Sequence, residues 1–71
     1  MRYIVIDERK NDFFTEEFES KDEAIKTAKS DWNHRTEHDK KHTEAYYVLE
    51  SVNPDEDVDN HFDGNPIFTL K

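Results

Sequence analysis

The sequence predicts one small α+β domain over residues 1–71, in which an antiparallel sheet of three or four strands carries one main helix on one face. Short runs rich in β-branched and aromatic residues flank a segment with helical apolar spacing, which gives the order ββαββ. Aromatic residues make up 13% of the chain, and disordered chains are poor in them. We therefore expect a folded domain rather than a linker.

The first two predicted strands are residues 2–7 and 12–19, joined by a charged turn as a hairpin. Tyr3 and Val5 alternate with Ile4 and Ile6, so the first strand is apolar on both faces. This pattern is typical of a central strand, and we expect the first strand to lie between the second and the third. Phe14 and Phe18 are predicted to share one face of the second strand.

A helix of about 13 residues is predicted after Ser20, because Ser20 and Glu23 have the spacing of a capping box. The apolar residues that follow recur at helical spacing, which indicates one buried stripe: Ala24, Ile25, Ala28 and Trp32. The two alanines would let this helix lie close to the sheet.

Residues 33–43 contain no apolar side chain, so we expect this segment to be exposed to solvent. Thr36 can cap a short second helix near 37–42. A third strand is predicted at 44–51 and a last one at 66–70, the latter at a sheet edge, where Pro66 is tolerated. Turn signals occur at 53–55 and 63–65.

The charge of the chain excludes several classes of partner. The net charge is −8, and residues 50–65 contain six acids and no base. Such a surface repels nucleic-acid phosphates and anionic membranes, so we expect neither as a direct partner.

The chain has no cysteine, no apolar run long enough to span a membrane and no signal-peptide pattern. These features predict a cytoplasmic protein.

Two patterns could bind a metal ion, although each also has a simpler interpretation. His34, His38 and His42 are spaced i, i+4, i+8, and imidazoles four residues apart on a helix can share a metal. The alternative is a solvated polar segment broken at Thr36. In the second pattern, Asp57, Asp59 and Asp63 could form an oxygen-ligand calcium site, or simply an acidic, turn-rich loop.

The sequence shows no motif for catalysis. It has no glycine-rich phosphate loop, nucleophile elbow or metalloprotease helix. A domain of this size also has little room to bury a substrate pocket. We therefore predict no enzymatic activity, no catalytic residue and no cofactor.

The aromatic residues outnumber those that one helix can cover. If the helix covers one face of the sheet, we expect Phe13, Tyr46 and Ile4 on the other face. An aromatic patch rimmed by carboxylates is suited to protein binding. The predicted partner surface therefore combines two aromatic residues with the acidic segment: Phe13, Tyr46, Asp55, Asp57, Asp59, Phe62 and Asp63. The alternative is that the acidic segment packs over this face.

The chain resembles a group of short proteins found in Gram-positive bacterial genomes and their mobile elements. The resemblance is carried by the opening Tyr3–Asp7, the helix with Lys21–Ala24 and Ser30–His34, the strand Tyr46–Asp55 and the tail Asn60–Asn65. It implies a bacterial, cytoplasmic, single-domain protein. It implies no activity, ligand or partner, and it assigns no functional residue.

The sequence therefore favours a small acidic protein-interaction module whose partner carries a basic surface, because interface potentials are complementary. Two alternatives remain open. One is an acidic mimic of nucleic acid that blocks a nucleic-acid-binding protein, which the net charge of −8 suggests. The other is a weak metal-binding protein that uses the 57–63 segment or the histidines.

Overall fold

The computed structural model describes residues 2–51 and 65–71. Its elements are β1 (Arg2–Arg9), β2 (Asp12–Phe18), α1 (Lys21–His34), α2 (Glu37–His42), β3 (Thr43–Ser51) and β4 (Asn65–Thr69). The strands form one antiparallel sheet in the order β2-β1-β3-β4. The predicted α+β fold, the central position of β1 and the edge position of β4 are therefore confirmed. The predicted turn at 53–55 and the acidic segment lie outside the described residues.

The first strand of the β1–β2 hairpin is longer than the sequence predicts. Pairing runs without interruption from Tyr3 opposite Phe18 to Arg9 opposite Asp12, with only two residues left in the turn. The charged residues Glu8 and Arg9 belong to the strand because they pair with β2 on one side and β3 on the other. Local polarity suggested a turn there, but two-sided ladder pairing extends β1.

Helix α1 begins as the capping pattern predicts. The Ser20 side-chain oxygen accepts a hydrogen bond of 3.4 Å from the backbone N–H of Glu23. The helix ends at His34, and the backbone N–H of Arg35 closes it with a 3.2 Å bond to the carbonyl of Trp32. No helix in residues 2–51 and 65–71 is long and apolar enough to cross a membrane.

The main core lies between α1 and the sheet. Ala24 and Ala28 are fully buried and pack with Val5, Tyr46 and Val48. Because alanine side chains are short, the helix axis can approach the strands closely, as predicted. Larger side chains pack around this centre while partly exposed: Tyr3, Phe18, Ile25, Trp32, Ile67, Phe68 and Leu70.

A second apolar cluster lies on the opposite face of the sheet. Ile4, Ile6 and Leu49 are fully buried there, and Tyr47 packs against them. Full burial of such an aliphatic side chain contributes about 1.5–3 kcal/mol relative to exposure. The two-faced apolar pattern of β1 thus corresponds to two cores, one on each side of the sheet.

The short helix α2 forms where the sequence predicts it. The Thr36 hydroxyl accepts from the backbone N–H of Asp39 at 3.1 Å, and the helix contains no buried residue. Contacts at its end hold it in place, since the Thr43 hydroxyl donates to the Asp39 carbonyl and the Lys71 amine donates to the Lys40 carbonyl.

Candidate functional site

The guanidinium of Arg35 joins three elements just beyond the end of α1. One of its terminal nitrogens donates to the carboxylates of Asp7 at 2.7 Å and Asp31 at 2.9 Å. Its other terminal nitrogen donates to the Thr43 hydroxyl at 3.0 Å. The Arg35 side chain is only 11% exposed. Because its terminal nitrogens already bind β1, α1 and β3, we interpret Arg35 as a structural link rather than an anion-binding group.

Tyr46 extends this network and covers it. The Tyr46 hydroxyl donates to the Asp31 carboxylate at 2.8 Å, and the Arg35 guanidinium lies 4.4 Å from the Tyr46 ring centroid. The Tyr46 ring also stacks with Trp32, with centroids 5.5 Å apart, and the Arg35 guanidinium lies 5.8 Å from the Trp32 ring centroid. The Arg35–Asp7 ion pair is largely buried beside these rings, which strengthens its electrostatic attraction, whereas the Asp31 side chain is 52% exposed.

The surroundings of Asp31 and Tyr46 shift their pKa values in opposite directions. Partial burial acts to raise the pKa of Asp31, but hydrogen bonds from Tyr46 and Arg35 outweigh it and hold that pKa below its ordinary value. Burial, and then the hydrogen bond to the Asp31 carboxylate, raise the pKa of the Tyr46 hydroxyl. Asp31 therefore stays ionised, and Tyr46 stays a hydrogen-bond donor, through the neutral range of pH.

Asp7 is the most deeply buried carboxylate of this network. Its side chain is 9% exposed, and one of its oxygens accepts from Arg35 and, at 3.3 Å, from Arg9. The other oxygen of Asp7 and the Nε of Arg9 are buried with no partner in the described part of the chain. The adjacent cavity is about 140 Å³ and is lined by Phe14 and Tyr46 among others. That volume is below the usual range of small-molecule sites, about 300–1,000 Å³.

The exposed large apolar side chains of the described residues belong to β2. Phe13 is 47% exposed and Phe14 is 54% exposed. Phe13 pairs with Glu8, which lies two residues from Ile6 and shares its face, so Phe13 lies on the face opposite α1, as predicted. Phe14 pairs with Asp7 and lies on the helix side. The strand thus presents an aromatic ring on each face.

Strand β2 carries carboxylates beside these two rings, and the guanidinium of Arg9 on β1 lies 5.6 Å from the Phe14 ring centroid. Strand β2 contains Asp12, Glu16 and Glu17 and no basic residue, and all three acids are exposed. Arg2 forms ion pairs with Glu17 at 3.3 Å and with Glu19 at 2.9 Å. Within residues 2–51 and 65–71, Glu16 has no ion pair. The side of β2 that faces α1 therefore carries a carboxylate that this part of the chain does not neutralise.

An open groove runs beside β2 along the flank of α1. Its volume is about 580 Å³, and Phe18 lines it from the strand, together with Thr27 and Ser30 from the helix. Glu23 and Asp31 add negative charge to the helix wall, against one lysine, Lys26. The groove is a partly apolar, net acidic surface next to the exposed strand.

The structure corrects the placement of one predicted partner residue. Tyr46 lies opposite Asp7 in the sheet, so it shares a face with Val5 and Val48 and points toward α1, where it is 3% exposed. The prediction that it lies opposite the helix is wrong, because the strand register sets the face and aromatic composition does not. Of the other predicted partner residues, Phe13 is exposed as expected. The remaining five, Asp55, Asp57, Asp59, Phe62 and Asp63, lie outside the described residues.

The three histidines are divided between the two helices. His34 is in the last turn of α1, where its Nδ1 lies 2.7 Å from the carbonyl of Ser30. His38 and His42 are both in α2, with ring centroids 4.3 Å apart. Thr36 breaks the helix between His34 and this pair, as predicted. No group of three or more His, Asp or Glu side chains in the described ranges is arranged to hold a metal ion.

Sequence reasoning missed the network around Arg35, since residues 33–43 were expected to be solvent-exposed. Thr43 is in fact 1% exposed and Arg35 is mostly buried. A signal was present in β1, where Asp7 continues the alternation of Tyr3 and Val5 on the helix face. A carboxylate at a core position requires a cationic partner.

Comparison with known protein families, with curated proteins and with solved structures finds no match for this chain.

Proposed function

We propose that this chain is a protein-interaction module without catalytic activity, which binds a partner with a basic surface through β2. The observation that carries the proposal is the composition of β2. It is a seven-residue edge strand with two largely exposed phenylalanines, three exposed carboxylates and no base. Interfaces favour aromatic anchors, and charge complementarity selects the partner.

The rest of the described structure supports this proposal. The Arg35 network is closed by internal hydrogen bonds, and the cavity beside it is too small for a typical substrate. The exposed features concentrate on β2 and on the adjoining groove. We infer that the buried network stabilises the fold and that the β2 surface binds the partner.

The proposal is tested by affinity capture from a bacterial lysate with the tagged wild-type protein and two charge-matched variants. The test variant is Glu16→Gln with Glu17→Gln, which removes one carboxylate from each face of β2. The control is Asp22→Asn with Glu37→Gln, which removes two exposed carboxylates at the starts of the two helices. Circular dichroism confirms that both variants fold.

The expected result is one basic protein captured by the wild type and the control. The β2 variant should lose it, and so should the wild type in salt of about 1 M, where the screening length falls to about 3 Å. Capture of the same proteins by all three forms would contradict the proposal, and so would capture of none. If the captured protein binds nucleic acid and nucleic acid displaces it, the module acts as an acidic mimic.

A further inference from the structure

We infer that the partner binds as an extended basic segment, which pairs with the outer edge of β2 as an additional strand. This inference rests on the proposed function and specifies its geometry. An edge strand presents unpaired backbone groups, and proteins commonly block such edges with proline, lysine, bulges or short length. The two edges of this sheet differ in these features.

The β4 edge carries several of these blocking features. It has five residues, it includes Pro66, and its pairing with β3 shifts register between Val48 and Leu49. Strand β2 has seven residues, continuous pairing with β1, and no proline or lysine. Its only blocking feature is negative charge, which repels another acidic strand and attracts a basic one.

The register defines which backbone groups of β2 are available. Arg9 and Asp12 flank a two-residue turn, so they form a hydrogen-bonded pair, and bonded and non-bonded pairs alternate from there. The backbone groups of Thr15 and Glu17 are therefore directed away from β1. Those of Phe13 are directed the same way, and its N–H already donates to the Asp12 carboxylate at 2.8 Å. Thr15 and Glu17 can bind an added strand through two N–H and two carbonyl groups.

The groove beside α1 would receive every second side chain of this added strand. A paired strand lies about 4.8 Å beyond β2, and its residues alternate between the two faces of the sheet. Those on the helix side would lie along the groove that Phe18 and Thr27 line. Glu16, Glu23 and Asp31 give this side its negative charge, so lysine or arginine at alternate positions fits it best.

A second copy of the chain fits this edge poorly. Pairing of two β2 strands would bring three carboxylates from each copy onto one sheet, with no base on either strand. Like charges on adjacent strands are destabilising. Charge complementarity therefore favours a basic segment of another protein as the occupant of this edge.

The test uses a short synthetic peptide of alternating lysine and valine, titrated into the isotope-labelled protein and followed by amide NMR and hydrogen exchange. The expected result is protection of the Thr15 and Glu17 amides together with shifts along β2. A peptide of alternating glutamate and valine is the control for charge and should leave these amides unprotected. Protection that rises with protein concentration in the absence of peptide would overturn the inference in favour of self-pairing.

Two variants at one position test the role of the backbone directly. Thr15→Pro removes the outward N–H, while Thr15→Val keeps it and preserves a β-branched side chain. Loss of one hydrogen bond should weaken peptide affinity about tenfold in the proline variant, and the valine variant should bind like the wild type. If folded Thr15→Pro binds with unchanged affinity, strand addition is wrong. If Thr15→Pro does not fold, the exchange protection in the wild type decides.

The two proposals can fail separately. If the peptide shifts only amides of α1 or α2 while lysate capture still depends on Glu16 and Glu17, the module binds a basic partner but not as a strand. If lysate capture is independent of these carboxylates, the proposed function itself is wrong. The peptide titration and the capture experiment therefore report on different steps of the argument.

Discussion

Tyr46 donates a 2.8 Å hydrogen bond to Asp31, which ties the third strand of the sheet to the last turns of α1. The same carboxylate oxygen accepts from Arg35, which also binds Asp7 on β1. Helix α1 is thus attached to the sheet by polar contacts at this end and by Ala24 and Ala28 along its length. This attachment positions the groove between α1 and β2.

Replacing Arg35 should lower the stability of the fold more than replacing any other single polar side chain. Replacing it with methionine leaves the buried Asp7 carboxylate with Arg9 as its remaining cation, at 3.3 Å. Removing one partner of a buried ion pair costs about 3–5 kcal/mol. That is about the whole stability expected for a domain of this size, roughly 3–5 kcal/mol. Urea denaturation should therefore show Arg35→Met largely unfolded without denaturant.

Arg2→Met is the matched control, because Arg2 forms its ion pairs at the surface with 39% of its side chain exposed. Such pairs contribute about 0–1 kcal/mol, so this variant should keep most of the wild-type stability. Adding Asp7→Leu to Arg35→Met should recover part of the loss, since no buried carboxylate then remains on β1. If Arg35→Met had the same urea midpoint as the wild type, the network would contribute little to stability.

The pH dependence of stability should contain a contribution from Asp31. Hydrogen bonds from Tyr46 and Arg35 lower its pKa in the folded protein, from an ordinary value of 3.8. A lowered folded pKa stabilises the protein above that ordinary value, and the stabilisation is lost as the pH falls through the folded pKa. Asp31→Asn should therefore flatten the acid limb of a plot of unfolding free energy against pH.

Tyr46→Phe is the companion variant for this measurement. It removes one of the two hydrogen bonds that lower the pKa of Asp31 and keeps the aromatic ring against Trp32. Its acid limb should lie between those of the wild type and Asp31→Asn. An Asn variant with the same acid slope as the wild type would mean that Asp31 is not linked to folding.

The order of elements could be predicted from the sequence because each depends on local chemistry. Ser20 and Thr36 cap the helices through bonds to residues three positions away, and the two-faced apolar pattern of β1 marks a central strand. The Arg35–Asp7 contact joins residues 28 positions apart. No local pattern encodes such a contact, which appears only once the strands and the helix have packed.

The face on which Tyr46 lies could not be predicted for a related reason. Tyr46 and Tyr47 are adjacent aromatics on opposite faces of β3, and a shift of one residue exchanges them. The register is set by the pairing of Val48 with Val5, over which α1 packs. By contrast, the exposure of Phe13 follows from its place on an edge strand, so that part of the candidate surface was predictable.

The close approach of α1 to the sheet should make Ala28 intolerant of larger side chains. Ala28 is fully buried against the sheet, so Ala28→Leu forces the helix away from it. Overpacking of this kind typically costs about 1–3 kcal/mol. Lys26→Leu, at an exposed position of the same helix, is the matched control and should change stability little. Equal thermal midpoints for the two variants would contradict the packing described for α1.

The cap at Ser20 should have a measurable and specific effect on stability. Ser20→Ala removes the oxygen that accepts from the Glu23 N–H, and the loss of such a cap costs about 1 kcal/mol. Ser20→Asp restores an acceptor and adds a favourable charge at the helix N-terminus, so it should recover the wild-type midpoint in urea denaturation.

Thr36→Ala removes the equivalent bond to Asp39, but α2 buries no residue of its own. If the two caps act locally, Ser20→Ala should lower global stability, while Thr36→Ala should mainly increase amide exchange within residues 37–42. An equal loss of global stability in both variants would show instead that α2 unfolds only together with the rest of the domain.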